Sequence, residues 1–256
     1  QVAMNIGLGR GDYRQFEQPA LPVGIWSLET EAARLTRRML CNLAEINLGR
    51  ARDGMLSREK MAAMRVQAQA LGESNIYLES CFGLTIQEFR AKARHAVKKH
   101  GLKVIIVDYL QLLKSSSRAA MMNRQNEMID VSTGLKAMAH ELDVPVIALA
   151  QINRDGDVAR PRMSDIKDSG QIEQDADYVA ILCDAEGVED VVETEDEISV
   201  DLTGNAWVGL DVVKLKEGKT TTDGSPIKLK FDKEFFRMLS TTFDFMSNNP
   251  NERQQR

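Results

Sequence analysis

Cysteine is scarce: Cys41, Cys81 and Cys183 are the only three, far apart in the chain. That spacing builds neither a disulfide framework nor a CxxC metal or redox motif. Aromatic residues make up only 5% of the chain, so base stacking is a weak route to nucleic acid. No apolar run approaches the roughly 18 residues of a membrane span, and no signal peptide is expected. Positive charge is not in excess either: 33 Lys+Arg face 38 Asp+Glu, a net charge of -5. A protein coated in basic charge is excluded, while local basic contacts are not. The chain also lacks a complete GxxxxGK[ST] phosphate loop.

What is present is ordinary globular chemistry. The 256 residues are 43% hydrophobic and 28% charged, enough for one large core or two small domains. These features predict a soluble protein of a reducing compartment, the cytoplasm. The first residue is Gln1 rather than Met, which predicts a fragment or a processed product.

Short apolar runs alternate with amphipathic stretches. Residues 1–8 read as the end of an amphipathic helix, and Pro22 to Leu28 as a buried strand. Helices are expected over 31–45, 57–71, 85–100 and 124–142, the third with Thr85 and Glu88 as a capping box. Strands are expected over 75–78, 102–108, 144–151 and 178–182, with a terminal hairpin from 212–215 and 227–231. This alternation implies a parallel sheet covered on both faces. Residues 184–201 hold nine acids and no Lys or Arg, the pattern of a solvated loop. Residues 1–245 read as one domain and 246–256 as a polar, disordered tail.

Ligands of an open parallel sheet bind beyond the carboxyl ends of its strands. Three expected strands end in polar groups there: Glu29, Asp108 and Gln151. One such residue alone is more often a helix start or a loop residue. Three on one edge suggest a shared task. A hydrophobic run closing on Asp108 is the arrangement that holds Mg²⁺ on a nucleoside triphosphate. Glu29 is placed to polarise an attacking water, and Gln151 to sense a γ-phosphate. Gly218-Lys219-Thr220 imitates the second half of a phosphate loop, but a strand follows instead of the helix whose N-terminus binds the anion. It reads as a hairpin loop.

Leu28-Glu29 with the Arg-rich helix after it, Val107-Asp108-Tyr109-Leu110-Gln111-Leu112, Asn123-Arg124-Gln125, Val144 to Arg154, and the block SDIKDSGQIEQDAD over 164–177 together resemble the RecA-type motor domain of the DnaB replicative DNA helicase family. The resemblance covers nearly residues 1 to 182 and returns over 211–238. It implies an α/β fold: a RecA-like P-loop NTPase core, mostly parallel sheet with helices on both faces, truncated at the N-terminus and ending in a β-hairpin. It implies a phosphate loop just upstream of residue 1, so the chain alone is expected to hydrolyse little or no ATP.

The resemblance also implies roles. Glu29 is the catalytic carboxylate, Asp108 the Mg²⁺-linked acid and Gln151 the γ-phosphate sensor. Arg38 lies at the nucleotide base, with a plain surface arginine as the alternative. Lys167, Asp168 and Gly170 match the loop that tracks the DNA backbone, where a lysine and a backbone amide suit sequence-independent phosphate contact. Lys214 and Lys216 occupy the positions of a Lys and an Arg that reach the neighbouring subunit's γ-phosphate. Lysine supplies the charge of the missing arginine but not its planar fork. The implied activity is an ATP- and Mg²⁺-dependent replicative DNA helicase on single-stranded DNA. The implied assembly is a hexameric ring, with primase or a helicase loader as partner and no membrane. Two other readings stay open: a recombinase-like strand-exchange or loader ATPase, and a non-catalytic binding paralogue without a phosphate loop.

Overall fold

The computed structural model describes residues 1–9, 19–117, 123–152, 161–166, 169–184, 206–218, 220–221, 226–232, 234–235 and 237–240. The acidic segment after residue 184 and the expected tail from 246 lie outside them.

Strand β1 (Val23–Ser27) is buried at all five positions, as a central strand packed on both faces must be. It is flanked in parallel by β2 (Ile76–Ser80) and β3 (Val104–Asp108), and β3 pairs in turn with β4 (Val146–Ala148), giving the order β2-β1-β3-β4. Side chains alternate between two cores. On one face Trp26, Ile105 and Val107 meet helix α5 (Ile86–His100) and helix α6 (Arg124–Leu142), through Phe89, Ala93, Met128, Val131, Leu135 and Met138. On the other, Val23, Ile25 and Ile106 meet Ala3 of helix α1 (Val2–Gly7) and Met39 of helix α2 (Ala32–Leu43). The doubly covered parallel sheet expected from the alternation is present.

Local chemistry sets these elements. Thr85 caps α5: its hydroxyl accepts from the Glu88 N–H, and the Glu88 carboxylate accepts from the Thr85 N–H at 2.8 Å. A cap of this kind contributes about 1 kcal/mol. Trp26 stacks edge-on to Phe89, centroids 5.6 Å apart, and its indole N–H is satisfied by Glu79 at 3.0 Å. Gly7 lets α1 lie close on the sheet, since a Cβ there would sit 2.4 Å from Ile76 Cγ1.

The structure departs from the sequence reading in four places. A short helix α3 (Leu48–Arg52), capped by Asn47, precedes α4 (Arg58–Gly72). The run Val144 to Gln151 contributes only three residues of strand, because β4 has a ladder partner on one side only. Strand β5 (Tyr178–Asp184) forms, but pairs antiparallel with β6 (Ala206–Leu215) in a second sheet. That sheet continues through β7 (Ile227–Asp232) to β8 (Arg237–Ser240), so the expected terminal hairpin is part of a four-stranded antiparallel sheet, order β5-β6-β7-β8. Gly218 follows β6 with φ +146, and Thr221 folds back to Val212 at 2.9 Å. The Gly218-Lys219-Thr220 stretch therefore lies in the β6–β7 connection, with Lys219 itself outside the described residues. Among the described residues no helix is long and apolar enough to cross a membrane, and none of the three cysteines forms a disulfide.

Candidate active site

The chain leaves β1 toward β2 on one side, then crosses back to place β3 on the other. The order of connection reverses between β1 and β3, which is where the carboxyl-end crevice of such a sheet opens. Ser27 stands opposite Asp108 in the register. The Leu28 N–H donates to the Asp108 carbonyl at 2.7 Å, and the Cys81 N–H to that of Ser27 at 3.0 Å. Ser27 is fully buried, and its hydroxyl accepts from the Thr30 N–H at 3.1 Å. Glu29 thus emerges beside the end of β3, and α2 begins directly after it, carrying Arg38.

Asp108 is half-buried, and that burial raises its carboxyl above the ordinary aspartate range. The charge of Glu29 pushes the same way, and Arg38 opposes both. Three residues chosen from the sequence therefore share one electrostatic neighbourhood. A carboxylate disfavoured by burial and by a second carboxylate is one that a bound cation relieves. One acid suits Mg²⁺, which keeps several waters and takes its remaining oxygens from phosphate. Among the described residues there is no cluster of three His, Cys, Asp or Glu side chains that could enclose a metal.

Gln151 lies just past β4, its side chain exposed. Its backbone is held by a residue to which the sequence reading gave no role. Gln111, 7% exposed, donates its amide N–H to the Gln151 carbonyl and accepts the Gln151 N–H, both at 3.2 Å. The Leu149 N–H donates to Val107 and the Leu110 N–H to Leu149, both at 2.9 Å. Arg124, at the start of α6, donates to the Gln111 carbonyl at 2.6 Å. A buried amide next to the Asp108 strand was the available signal, but its partner is a backbone 40 residues away.

Lys214, in β6, and Lys216, just past its end, differ. The ammonium of Lys214 donates to the backbone carbonyl of Glu173 at 2.5 Å. Lys216 is 71% exposed and lies 3.5 Å from Asp177. Among the described residues, neither hydrogen-bonds or ion-pairs with Glu29 or Asp108 of its own chain.

Of the expected DNA loop, Lys167 and Asp168 lie outside the described residues. Gly170 sits in the first turn of helix α7 (Ser169–Asp175), exposed, and a Cβ on it would meet nothing within 4 Å. Much of the surrounding 164–177 block serves packing. Ile166 and Ile172 are buried in the larger core. Asp175 accepts from Ser132 at 2.8 Å, Thr133 at 3.3 Å and Gln171 at 3.0 Å, which fastens α7 to α6.

Comparison with known proteins follows the same lines. The DnaB-like helicase C terminal domain family matches residues 3–240. The replicative DNA helicase DnaB of Geobacillus stearothermophilus is 37% identical over 227 residues, 87% of this chain and 47% of that protein. The replicative DNA helicase DnaC of Bacillus subtilis (strain 168) is 44% identical over 163 residues, 62% of this chain and 36% of its own. Among solved structures, a DnaB-like replicative helicase described with its interactions with primase superposes with a TM-score of 0.71 at 27% identity, covering 86% of this chain and 50% of that one. A solved ATPase domain gives the same TM-score and identity over 86% of this chain and 74% of its own. The chain spans about half or less of the length of these curated relatives. On a match that runs from α1 to β8, the chain belongs to the DnaB-like helicase C-terminal domain family.

Proposed function

We propose that residues 1–245 form the ATP-driven motor domain of a replicative DNA helicase that moves along single-stranded DNA and unwinds duplex. The observation that carries this reading is the register of β1 and β3, which sets Ser27 opposite Asp108 so that Glu29 and the helix bearing Arg38 leave the sheet at the carboxyl end beside Asp108. Asp108 would hold Mg²⁺, which would supply charge neutralisation for the nucleotide's phosphates. Glu29, exposed at the crevice mouth, accepts a proton from the attacking water. Gln151, fixed by Gln111, donates its side-chain amide to the γ-phosphate and loses that contact on hydrolysis. Arg38 lies toward the base. Lys167 and Gly170 meet DNA phosphates, and Asp168 bonds to a neighbouring loop.

The proposed assembly is a hexameric ring in the cytoplasm, in which Lys216 meets the neighbouring subunit's nucleotide. A primase partner is supported by the relative whose structure is described with its interactions with primase; a loader is the other partner proposed.

The test uses a polypeptide carrying a phosphate loop upstream of Gln1. Glu29→Gln is expected to cut ATP hydrolysis by about 10²–10⁴, the range of a positioned general base, while Mg²⁺-ATP affinity changes little. Turnover near the wild-type rate would place the base elsewhere.

A further inference from the structure

Lys214 in β6 and Lys216, one residue past its end, meet different partners. The ammonium of Lys214 donates to the carbonyls of Glu173 at 2.5 Å and Gln174 at 3.4 Å. These belong to the last turn of α7, where carbonyls lack helical partners and a cation is favoured. Two residues on, the Lys216 backbone N–H donates to the Asp177 carbonyl at 2.9 Å. The strand is therefore pinned to the α7–β5 turn on both sides of Leu215. What remains free to move is the Lys216 side chain, 71% exposed.

That side chain has one partner among the described residues. Its ammonium lies 3.5 Å from Oδ1 of Asp177. The other oxygen, Oδ2, accepts from Lys136 of α6. Asp177 thus bridges a lysine fixed on a core helix and a lysine that points to solvent. Lys136 and, more weakly, Lys216 hold its carboxyl below the usual range, so it stays ionised at neutral pH.

We propose that Asp177 is a positioning residue for Lys216: its carboxylate parks the ammonium on its own subunit until a terminal phosphate on the neighbouring subunit takes it, and Lys136 sets how tightly it is parked. This rests on the reading that Lys216 serves the neighbour's nucleotide. The exchange runs in the right direction. An ion pair this exposed is weak, and a multiply charged phosphate makes stronger, charge-assisted hydrogen bonds. Because Lys136 shares the carboxylate, it weakens Asp177's hold on Lys216. The two neighbours of Lys216 should therefore act with opposite sign.

The experiment is steady-state ATP hydrolysis by the assembled, phosphate-loop-bearing protein on single-stranded DNA. Asp177→Asn should lower the KM for ATP about two- to fivefold, the span of an exposed ion pair, with kcat within about twofold. Lys136→Met should raise KM by a similar factor. In a Lys216→Ala background, Asp177→Asn should add nothing. KM shifts of the same sign in Asp177→Asn and Lys136→Met would overturn the proposal. So would an Asp177→Asn effect that persists without Lys216, since Asp177 would then act on the fold alone. An unchanged KM in Asp177→Asn, with Lys216→Ala crippled, would refute the parking and keep the trans lysine. A Lys216→Ala protein with normal turnover would instead sink the trans-lysine reading, and the proposal with it.

Discussion

Replacing Gln111 by alanine removes the support beneath Gln151 without touching any group proposed to meet nucleotide. Two hydrogen bonds of 3.2 Å are lost, each contributing about 0.5–1.5 kcal/mol. Gln151 is exposed, so water replaces part of what its backbone loses, and the net cost should be about 1–2 kcal/mol. At about 2–4 °C per kcal/mol for a domain of this size, the melting temperature should fall by about 2–8 °C. Gln111→Met keeps most of the volume and loses the same bonds, so it should fall in the same range if hydrogen bonding, not a cavity, is the cause. The functional loss should be larger than the stability loss. A sensor displaced by about 1 Å costs up to about a hundredfold in rate, so hydrolysis in the phosphate-loop-bearing protein should drop tenfold or more, toward the level of Gln151→Ala. The assay pairs thermal melting with single-turnover ATP hydrolysis. A Gln111→Ala protein that melts lower yet hydrolyses at the wild-type rate, beside an inactive Gln151→Ala, would refute the reasoning.

Asp108→Asn should stabilise the nucleotide-free chain at neutral pH. The folded carboxyl titrates above its unfolded value because of burial and Glu29, so its ionised form costs stability, and that cost fades as pH falls toward about 3.9. Melting in EDTA from pH 8 downward should show the variant's advantage shrinking with acid, and a lower melting point for the variant at pH 8 would contradict it. For DNA, Lys167→Ala should weaken binding of all single-stranded sequences alike and reduce the salt slope by about one phosphate's worth in oligonucleotide titrations. Gly170→Ala should leave the melting temperature unlowered, since its Cβ meets nothing within 4 Å. A fall in DNA affinity would then report backbone approach to phosphate, and unchanged affinity in both variants would move the DNA path elsewhere.

Local signals in the sequence carried far. Helix α6 runs over 124–142 as its pattern predicts, and the Thr85–Glu88 cap forms. Asp108 does close β3 and Glu29 does follow two residues after β1, because the end of an apolar run marks the strand's carboxyl edge wherever the strand lies in the sheet. Partnership was harder to read. Tyr178 to Leu182 has the composition of a buried parallel strand, yet β6 claims it, and nothing in five apolar residues names the neighbour. Val144 to Gln151 looked like a long strand because apolar character persists past the ladder, although Ile147 and Leu149 are 39% and 47% exposed. The Gln111 clamp and the Lys214 cap share one difficulty: in both, a side chain bonds to backbone about forty residues distant, and backbone is chemically the same at every position. The 164–177 block carries the family resemblance and the Lys167, Asp168 and Gly170 expectation, while Asp175 within it ties α7 to α6 and Asp177 meets Lys136 of α6 and Lys216 just after β6.

The pairing of β1 with β3 also has a kinetic meaning. Ser27 and Asp108 are neighbours in space but roughly eighty residues apart in the chain, and such distant strand pairing forms late compared with local helices. A nascent or partly folded chain with α2, α4 and α5 already wound but β3 not yet docked carries Glu29 and Asp108 as two ordinary, separate acids. Their mutual repulsion enters only when the strands close. If closure follows the folding transition state, that repulsion leaves the folding rate alone and appears as faster unfolding, and any ligand that binds only the closed crevice would act as a latch on the finished sheet.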